Sequence, residues 1–207
     1  MNFRIPNLLK DSVMTQEVSN TSLTRFNDEF GAPSERAATK VRPFLNSYVK
    51  EFIKNSPFAV MSTSGAGGKC DASPKGGMPG FIKILDDTHL LLPDVAGNKL
   101  FQSYANLDSN PNVGILFFIP GLDDTVRVNG SASIISKEEM EAQNVSLQLY
   151  ETDENSKHLQ GIVIEVQESY GHCPRAFKFS KFWDVDTISK NRDDRPIPAR
   201  LDQFSSK

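Results

Sequence analysis

Short apolar runs with a two-residue period restrict the fold of this 207-residue chain more than any other feature. In such a run, alternate side chains point to opposite faces, as in a β-strand that packs on one side. The runs cover residues 58–63, 70–73, 81–85, 89–92, 113–119, 125–135 and 162–166, the last continuing towards Tyr170. Most connections between them are too short for the crossover helices of a doubly wound fold. We therefore expect a mainly β protein, a closed or partly closed barrel with helices at its rim.

Helical periodicity occurs outside these runs. From Ser34 to Ile53, apolar residues recur at three- and four-residue steps, which is typical of an amphipathic helix. Pro43 interrupts the pattern, so either the helix kinks there or a second helix begins with Pro43 in its first turn. A helix over residues 98–107 is also predicted, and the spacing of Ser136 and Glu139 is that of a capping box, which predicts one through the 140s.

Composition places the chain in a broad class. Residues 1–33 are expected to form an N-terminal arm, residues 34–186 one domain, and residues 187–207 a polar C-terminal tail. No run approaches the roughly 20 apolar residues of a membrane span, and the N-terminus lacks the apolar core of a signal peptide. The two cysteines are far apart, and the net charge of −3 does not favour a nucleic acid partner. We expect a cytoplasmic protein that binds neither membrane nor nucleic acid.

The strongest candidate for an anion site is the stretch Gly97-Asn98-Lys99. A predicted strand ends just before it and a predicted helix begins within it. The first turn of a helix has unpaired N–H groups and the positive end of the helix dipole, so phosphate binds there readily. Lys99 would add a full charge and Asn98 a side-chain donor. The alternative is a capped helix with a solvated lysine.

A second candidate is the segment over residues 71–81, which contains two prolines and three glycines. This composition predicts a shaped loop. Ser73 and Lys75 are suitable donors to a phosphate or to a flavin carbonyl. The segment matches neither a dinucleotide-binding nor a P-loop motif. It could equally be an ordinary surface loop between strands.

Three further positions are candidates on weaker grounds. Thr125 and Arg127 should lie on one face of a strand, where Arg127 could pair with a carboxylate or reach a bound anion. Trp183, the single tryptophan, could cover a ring-shaped ligand, anchor a dimer contact or pack in the core. His172 and Cys173 are neighbours in a predicted strand and so point to opposite faces, which argues against a shared metal ion.

The order of these short motifs resembles that of the FMN-binding pyridoxamine 5′-phosphate oxidase-related proteins. The resemblance extends from about residue 30 to Trp183. Its motifs are Phe52-Ile53, Ser56-Pro57-Phe58, Ser62-Thr63, Asp71, Ser73-Pro74-Lys75-Gly76, Pro79-Gly80-Phe81, Leu92-Pro93-Asp94, Gly97-Asn98-Lys99, Asn110-Pro111, Ile119-Pro120-Gly121, Arg127-Val128-Asn129-Gly130 and His172-Cys173-Pro174.

The resemblance implies a six-stranded split β-barrel and a homodimer with FMN at its interface. It implies that the flavin phosphate is held near Asn98-Lys99 and Ser73-Pro74-Lys75, that Leu92-Pro93 lies along the flavin, and that Thr125 takes the place of a glutamine that touches the ring. The expected cofactor-binding residues are Ser62, Ser73, Lys75, Leu92, Pro93, Asn98, Lys99, Thr125, Arg127 and Trp183.

The resemblance also implies an oxidoreductase acting on a small molecule, with the flavin supplying the redox chemistry. Related proteins often have arginine at the position of Lys75, an acid at Gly77 and a basic residue at Phe179. The substrate-binding arginine and histidine of the oxidase have no clear match here, so pyridoxamine 5′-phosphate is not the expected substrate. The alternatives are a flavin-binding or redox-sensing protein without turnover, a split barrel that binds haem or a deazaflavin, and a purely structural dimer.

Overall fold

A computed structural model describes residues 20–95, 101–142 and 158–198. Within these ranges the helices are α1 (Asn20–Phe30), α2 (Glu35–Ala38), α3 (Ser47–Asn55), α4 (Gln102–Ser109), α5 (Lys137–Ala142), α6 (Arg175–Ser180) and α7 (Val185–Asp193). The strands are β1 (Phe58–Ser64), β2 (Cys70–Gly76), β3 (Lys83–Ile84), β4 (His89–Val95), β5 (Asn112–Phe118), β6 (Thr125–Ser136) and β7 (His158–His172). The expected mainly β architecture with peripheral helices is therefore confirmed.

All seven of these strands belong to one antiparallel sheet with the order β2-β1-β5-β6-β7-β4-β3. The long strands β6 and β7 form its centre and pair with each other along most of their length. β5 pairs with the first half of β6, whereas β4 pairs with the first half of β7. The two ends of the sheet are therefore offset along the central pair.

The sheet curves around a single main core. Buried residues from one end of the sheet, Ala59 and Met61 of β1, belong to the same apolar cluster as Leu90 and Leu92 of β4 near the other end. α3 and α4 also contribute to this cluster, which lies on what we call the core side of the sheet. On the opposite side, Met140 of α5 packs against a small second cluster formed by β4, β6 and β7.

The prediction of a helix from Ser34 to Ile53 was wrong in its middle. Ser34 caps the short helix α2, and Asn46 caps α3 by accepting a hydrogen bond from the Val49 N–H at 3.0 Å. Pro43 belongs to neither helix because the residue before a proline avoids helical backbone angles. Arg42 instead forms both hydrogen bonds of a β-bridge with Ser169 of β7.

The segment predicted to be a loop after Ser73 is strand as far as Gly76, so β2 was predicted too short. Pro74 is tolerated because β2 is at the edge of the sheet, where one side of the strand needs no ladder hydrogen bonds. The strand predicted over residues 81–85 is reduced to the two-residue strand β3, which pairs with β4 in the predicted hairpin.

The capping box is confirmed. The Ser136 N–H donates to Glu139 Oε2 at 2.7 Å, and the Glu139 N–H donates to Ser136 Oγ at 3.2 Å. α5 begins directly after Ser136. Helices also occur within the expected arm and tail, as α1 and α7. No helix within the described ranges is long and apolar enough to cross a membrane.

Candidate functional site

The first part of the site is the junction between β2 and α4. The Ser103 hydroxyl, in the first turn of α4, donates to Asp71 Oδ2 of β2 at 2.7 Å. One turn further on, the Asn106 amide donates to the Thr63 hydroxyl of β1 at 3.0 Å. Thr63 is the residue of β1 that pairs with Asp71. These two hydrogen bonds hold α4 along the edge of the sheet.

This arrangement sets the direction of α4. The helix runs towards the β1–β2 turn, where the Ala66 N–H donates to the Ser109 hydroxyl at 3.2 Å. Its N-terminus therefore points towards the other end of β2, which contains Ser73 and Lys75. Both side chains are half-buried and share a face of β2 with Asp71. The donors predicted from the sequence thus lie along the strand towards which the N-terminal turn of α4 points.

The start of α4 has no side-chain cap. Phe101 occupies the N-cap position with a left-handed backbone, φ 49°, and its side chain makes no capping hydrogen bond. A phenylalanine in this conformation is costly, and such backbone outliers are frequent at binding sites. The N-cap side chain of the described helix therefore leaves the first N–H groups of α4 uncapped.

The second part of the site is the outer face of the sheet, which we define as the side of β1, β5, β6 and the end of β7 that points away from the main core. It carries Val60, Ser62, Leu116, Phe118, Thr125, Arg127, Asn129, Tyr170 and His172. Thr125 pairs with His172, and Arg127 pairs with Tyr170, so the prediction that Thr125 and Arg127 share a face is confirmed. Thr125 is buried, whereas Arg127 is half-exposed.

Three basic side chains surround the ring of Tyr170, and we call Lys40, Arg127 and His172 the basic cluster. Arg127 Nη1 donates to the Tyr170 hydroxyl at 3.1 Å, and Lys40 Nζ lies 4.8 Å from the centre of the ring. The rings of Tyr170 and His172 are 4.8 Å apart. Lys40 is brought here by the bridge between Arg42 and β7.

The surroundings of His172 disfavour the charged form of its ring. Burial, followed by the charges of Arg127 and Lys40, lowers the pKa of the His172 imidazole. Its Nε2 atom is buried and has no hydrogen-bond partner within the described part of the chain. Nearby, burial and the charge of Asp124 raise the pKa of Tyr48, whose ring packs next to Gly171.

Trp183 belongs to an aromatic cluster at the end of the outer face, formed by Phe58, Phe118, Phe177, Phe182 and Trp183. The Trp183 ring stacks on Phe177 at 6.0 Å, and its Nε1 donates to the Leu122 carbonyl at 2.9 Å. The cluster thus attaches α6 to the β5–β6 connection. Phe182 is 56% exposed, so the cluster leaves apolar surface uncovered.

Ser62 is exposed at the rim of a groove of about 510 Å³. The groove is also lined by Asp71, Asn129 and Gln167. Cys70 lies there as well and is exposed, because it opens an edge strand. The groove offers hydroxyl and amide groups.

Two other expected site residues, Leu92 and Pro93, lie in β4. The Leu92 side chain is 1% exposed and belongs to the main core. Pro93 is buried opposite Gly161 of β7. Asn98 and Lys99 lie outside the described residues, so their expected role stays a prediction. The other described candidates form two groups. Ser73 and Lys75 lie on β2 near α4, whereas Ser62, Thr125, Arg127 and Trp183 lie on or next to the outer face.

The family is decided by a match over most of the chain. The sequence model of the family described as pyridoxamine 5′-phosphate oxidase matches residues 45–173. This range begins just before α3 and ends just after β7, so it contains both parts of the candidate site. The chain belongs to this family. None of the curated proteins is significantly similar to it in sequence.

Several solved structures are similar to this member of the oxidase family. HupZ of Group A Streptococcus is 18% identical, with a TM-score of 0.45 over 61% of this chain and 92% of that one. General stress protein 26 of Bacillus anthracis is 20% identical, with a TM-score of 0.39 over 59% of this chain and 88% of that one. A related protein of Clostridium acetobutylicum is 10% identical, with a TM-score of 0.43 over 60% and 85%.

Sequence reasoning missed two members of the basic cluster. Lys40 was not a candidate because its position beside Tyr170 depends on a bridge between distant segments. His172 was considered only as a metal ligand or nucleophile. A usable signal was present in β7, where Tyr170 and His172 are two residues apart and must share a strand face.

Proposed function

We propose that this protein binds FMN and acts as an oxidoreductase on a small molecule in the cytoplasm. Membership of the pyridoxamine 5′-phosphate oxidase family supports a flavin cofactor. The observation that carries the proposal is the β2–α4 junction, which aims an uncapped helix N-terminus at a strand with a serine and a lysine. Bound FMN would supply hydride or electron transfer.

The residues present fit a flavin phosphate. A phosphate needs several hydrogen-bond donors and positive charge, and the junction offers helix N–H groups, the Ser73 hydroxyl and the Lys75 ammonium. Asn98 and Lys99 precede α4 in sequence and would complete this set. Lysine provides a point charge and not the bidentate fork of arginine, so the phosphate geometry is less tightly fixed than in relatives with arginine.

The proposed protein is a homodimer with FMN shared between the protomers. The cofactor candidates lie on two sides of one sheet, with Ser73 and Lys75 on the core side and Ser62, Thr125 and Arg127 on the outer face. A flavin of one chain could not contact both groups through the sheet. A flavin held by its phosphate on one protomer, with its ring against the outer face of the partner, would contact both.

The exposed apolar surface supports association. Phe58 and Phe182 of the aromatic cluster are 39% and 56% exposed, and Phe58 contacts the half-buried Phe118 of the outer face. Contiguous exposed apolar surface on a water-soluble protein commonly marks an interaction site. A second copy of the chain would cover it, and the planar ring of a flavin would add to the apolar contact.

We also propose that the curved sheet forms the six-stranded split barrel of the family. Six of the described strands, β1, β2, β4, β5, β6 and β7, have seven residues or more, whereas β3 has two. β1 and β4 share one core although four strand-to-strand steps separate them in the sheet. Strong curvature of this kind is what closure into a barrel requires.

The first test is the visible spectrum of freshly purified protein, with mass spectrometry of any chromophore released by heat. We expect flavin absorption bands and FMN in the supernatant. A haem or deazaflavin spectrum would replace the cofactor assignment. A colourless protein that also fails to bind added FMN would overturn the proposed function.

Turnover is tested separately by rapid mixing of the FMN-loaded protein with NADH or NADPH. Fast bleaching of the flavin absorption would support an oxidoreductase. Bound FMN that is reduced only slowly by both donors would favour the flavin-binding or redox-sensing alternative. No described side chain lies where its geometry alone identifies it as an acid or base, so the flavin itself is the primary readout.

A further inference from the structure

The basic cluster on the outer face is not explained by ion pairing. Neither Lys40 nor Arg127 forms an ion pair with any residue in the described ranges. Glu168, the closest acidic residue along β7 on this face, accepts a hydrogen bond from Asn129 at 2.9 Å. Asp124 acts on Tyr48 instead. Two full positive charges therefore meet at one aromatic ring without a carboxylate between them.

Such a cluster is unfavourable without a counter-charge. Like charges near one ring repel, and after burial the charges of Arg127 and Lys40 also lower the pKa of His172. The cations are also accessible, because Lys40 is exposed and Arg127 is half-exposed. Arginine has five N–H donors, and the hydrogen bond to Tyr170 uses one of them.

We propose that Lys40 and Arg127 bind the carboxylate or phosphate group of a small-molecule substrate beside the ring of His172. Lys40 supplies a mobile charge and Arg127 a planar pair of donors, a combination suited to an oxyanion. The Tyr170 ring fixes the position of both cations through its face and its hydroxyl. That the bound anion is a substrate rests on the proposed oxidoreductase function.

This anion is not the phosphate of FMN. The proposed phosphate position lies at Ser73 and Lys75 on the core side of β2, whereas Arg127 points to the outer face. In the proposed dimer the outer face receives the flavin ring of the partner. An anionic group anchored at the basic cluster would therefore hold a substrate beside that ring.

The linkage between anion and proton gives a direct test. An anion bound between Lys40 and Arg127 would cancel the field that disfavours the imidazolium, so the pKa of His172 should rise on binding. The other titratable groups of β7 on this face are Tyr170 and Glu168.

The experiment is a proton NMR titration of the histidine Hε1 signals with inorganic sulfate, which keeps its charge throughout the pH range. Potassium chloride at matched ionic strength controls for screening. The chain has three histidines, so His89→Gln and His158→Gln identify the signal of His172. Sulfate is expected to raise the pKa of His172 by about one unit.

Variants make the result specific. Lys40→Gln changes an exposed side chain and should remove most of the sulfate effect without disturbing the fold, and Arg127→Gln should abolish it. Lys190→Gln, at an exposed lysine of α7, should leave it intact. No sulfate effect beyond that of chloride, or an effect that Lys40→Gln and Arg127→Gln both leave unchanged, would overturn the site.

Repeating the titration on protein saturated with FMN decides whether the basic cluster binds a substrate anion or the cofactor. The same pKa rise in both samples supports a substrate site separate from the cofactor. Loss of the effect once FMN is bound would assign the cluster to the cofactor and overturn the substrate assignment. If the protein binds no FMN, the titration without FMN still decides whether the anion site exists.

Discussion

Gly130, the last residue of the motif Arg127-Val128-Asn129-Gly130 in β6, has no room for a side chain. A Cβ atom built at this position overlaps the backbone carbonyl oxygen of Glu165 and lies 3.1 Å from an Ile164 methyl group. The register between β6 and β7 shifts at this point, so that Gln167 is left without a partner in β6. Glycine allows the close approach that this bulge requires.

Gly130→Ala is therefore expected to destabilise the protein by at least about 1–3 kcal/mol, the usual range for overpacking, since a backbone atom cannot rotate away. Urea unfolding followed by far-UV circular dichroism measures the change. Gly67→Ala is the matched control, because a Cβ at Gly67 has no neighbour within 4 Å. Equal midpoints for the two variants would contradict the role given to Gly130.

Lys75 is the residue that tests the proposed phosphate position. Lys75→Gln keeps the polarity and most of the length of the side chain but removes its charge. We expect FMN to bind more weakly by about 1.5–3 kcal/mol, the value of a charge-assisted hydrogen bond, when apoprotein is titrated. Lys99→Ala should have an effect of the same size, whereas Lys190→Gln should have none. Unchanged affinity in both site variants would remove the phosphate from this junction.

At the scale of the element, the hairpin between β3 and β4 depends on one carboxylate. Asp86 Oδ1 accepts hydrogen bonds from the Thr88 N–H at 2.7 Å and from the Thr88 hydroxyl at 3.0 Å, and it lies 2.9 Å from His89 Nδ1. Burial raises the pKa of Asp86, but the hydrogen bonds from Thr88 and His89 and the charge of His89 lower it by more. The net result is a pKa below the ordinary 3.8.

A depressed carboxyl pKa contributes stability only while the group is ionised. The advantage of the wild type over Asp86→Asn should be complete above pH 3.8 and should shrink as the pH falls through the lower folded pKa. Melting temperatures between pH 5 and pH 2 check this. Asp193→Asn, at an exposed residue of α7, is the control. A difference for Asp86→Asn that grows on acidification would contradict the assignment.

Strands and helices could be predicted where the residues that determine them are close in sequence. The two-residue period identified the major strands, and the Ser136/Glu139 spacing identified the start of α5 because both capping partners are close in sequence. Errors arose where tertiary context decided. Pro74 is acceptable only because β2 is an edge strand, and the bridge between Arg42 and Ser169 joins segments that are far apart in sequence.

The candidate site was predictable as a set of residues but not as a geometry. Because residues two apart in a strand share a face, Thr125 and Arg127 were correctly predicted to lie on the same side of β6. It could not show that Ser62 and Ser73, on neighbouring strands, lie on opposite sides of the sheet, because that depends on the cross-strand register. The basic cluster escaped prediction for the same reason.

At the level of the whole molecule, the proposed dimer predicts that two different variants complement each other in FMN binding. If the phosphate is held by one protomer and the ring by its partner, Lys75→Gln and Thr125→Val damage different halves of the same site. In a mixed dimer of the two variants, one site carries both changes and the other carries neither. Mixing the unfolded variants and refolding them should therefore recover part of the tight FMN binding that each variant lacks alone.

Fluorescence titration of the refolded mixture measures this recovery, with each variant refolded alone as the control. Light scattering should give a mass near twice the 23.0 kDa of the chain. A dimer whose mixture binds FMN no better than the separate variants would show that one protomer holds the whole cofactor. A monomer would contradict the shared site altogether.

The stacking of Trp183 on Phe177 has a spectroscopic consequence. Because the chain contains a single tryptophan, its intrinsic emission comes from one place, the contact between the C-terminal helices and the Leu122 carbonyl. Far-UV circular dichroism, which measures the backbone ellipticity of the sheet, reports on the strands instead. Emission that changes at lower urea than ellipticity would mean that the helices detach from an intact sheet, whereas coincident curves would make them part of one cooperative unit.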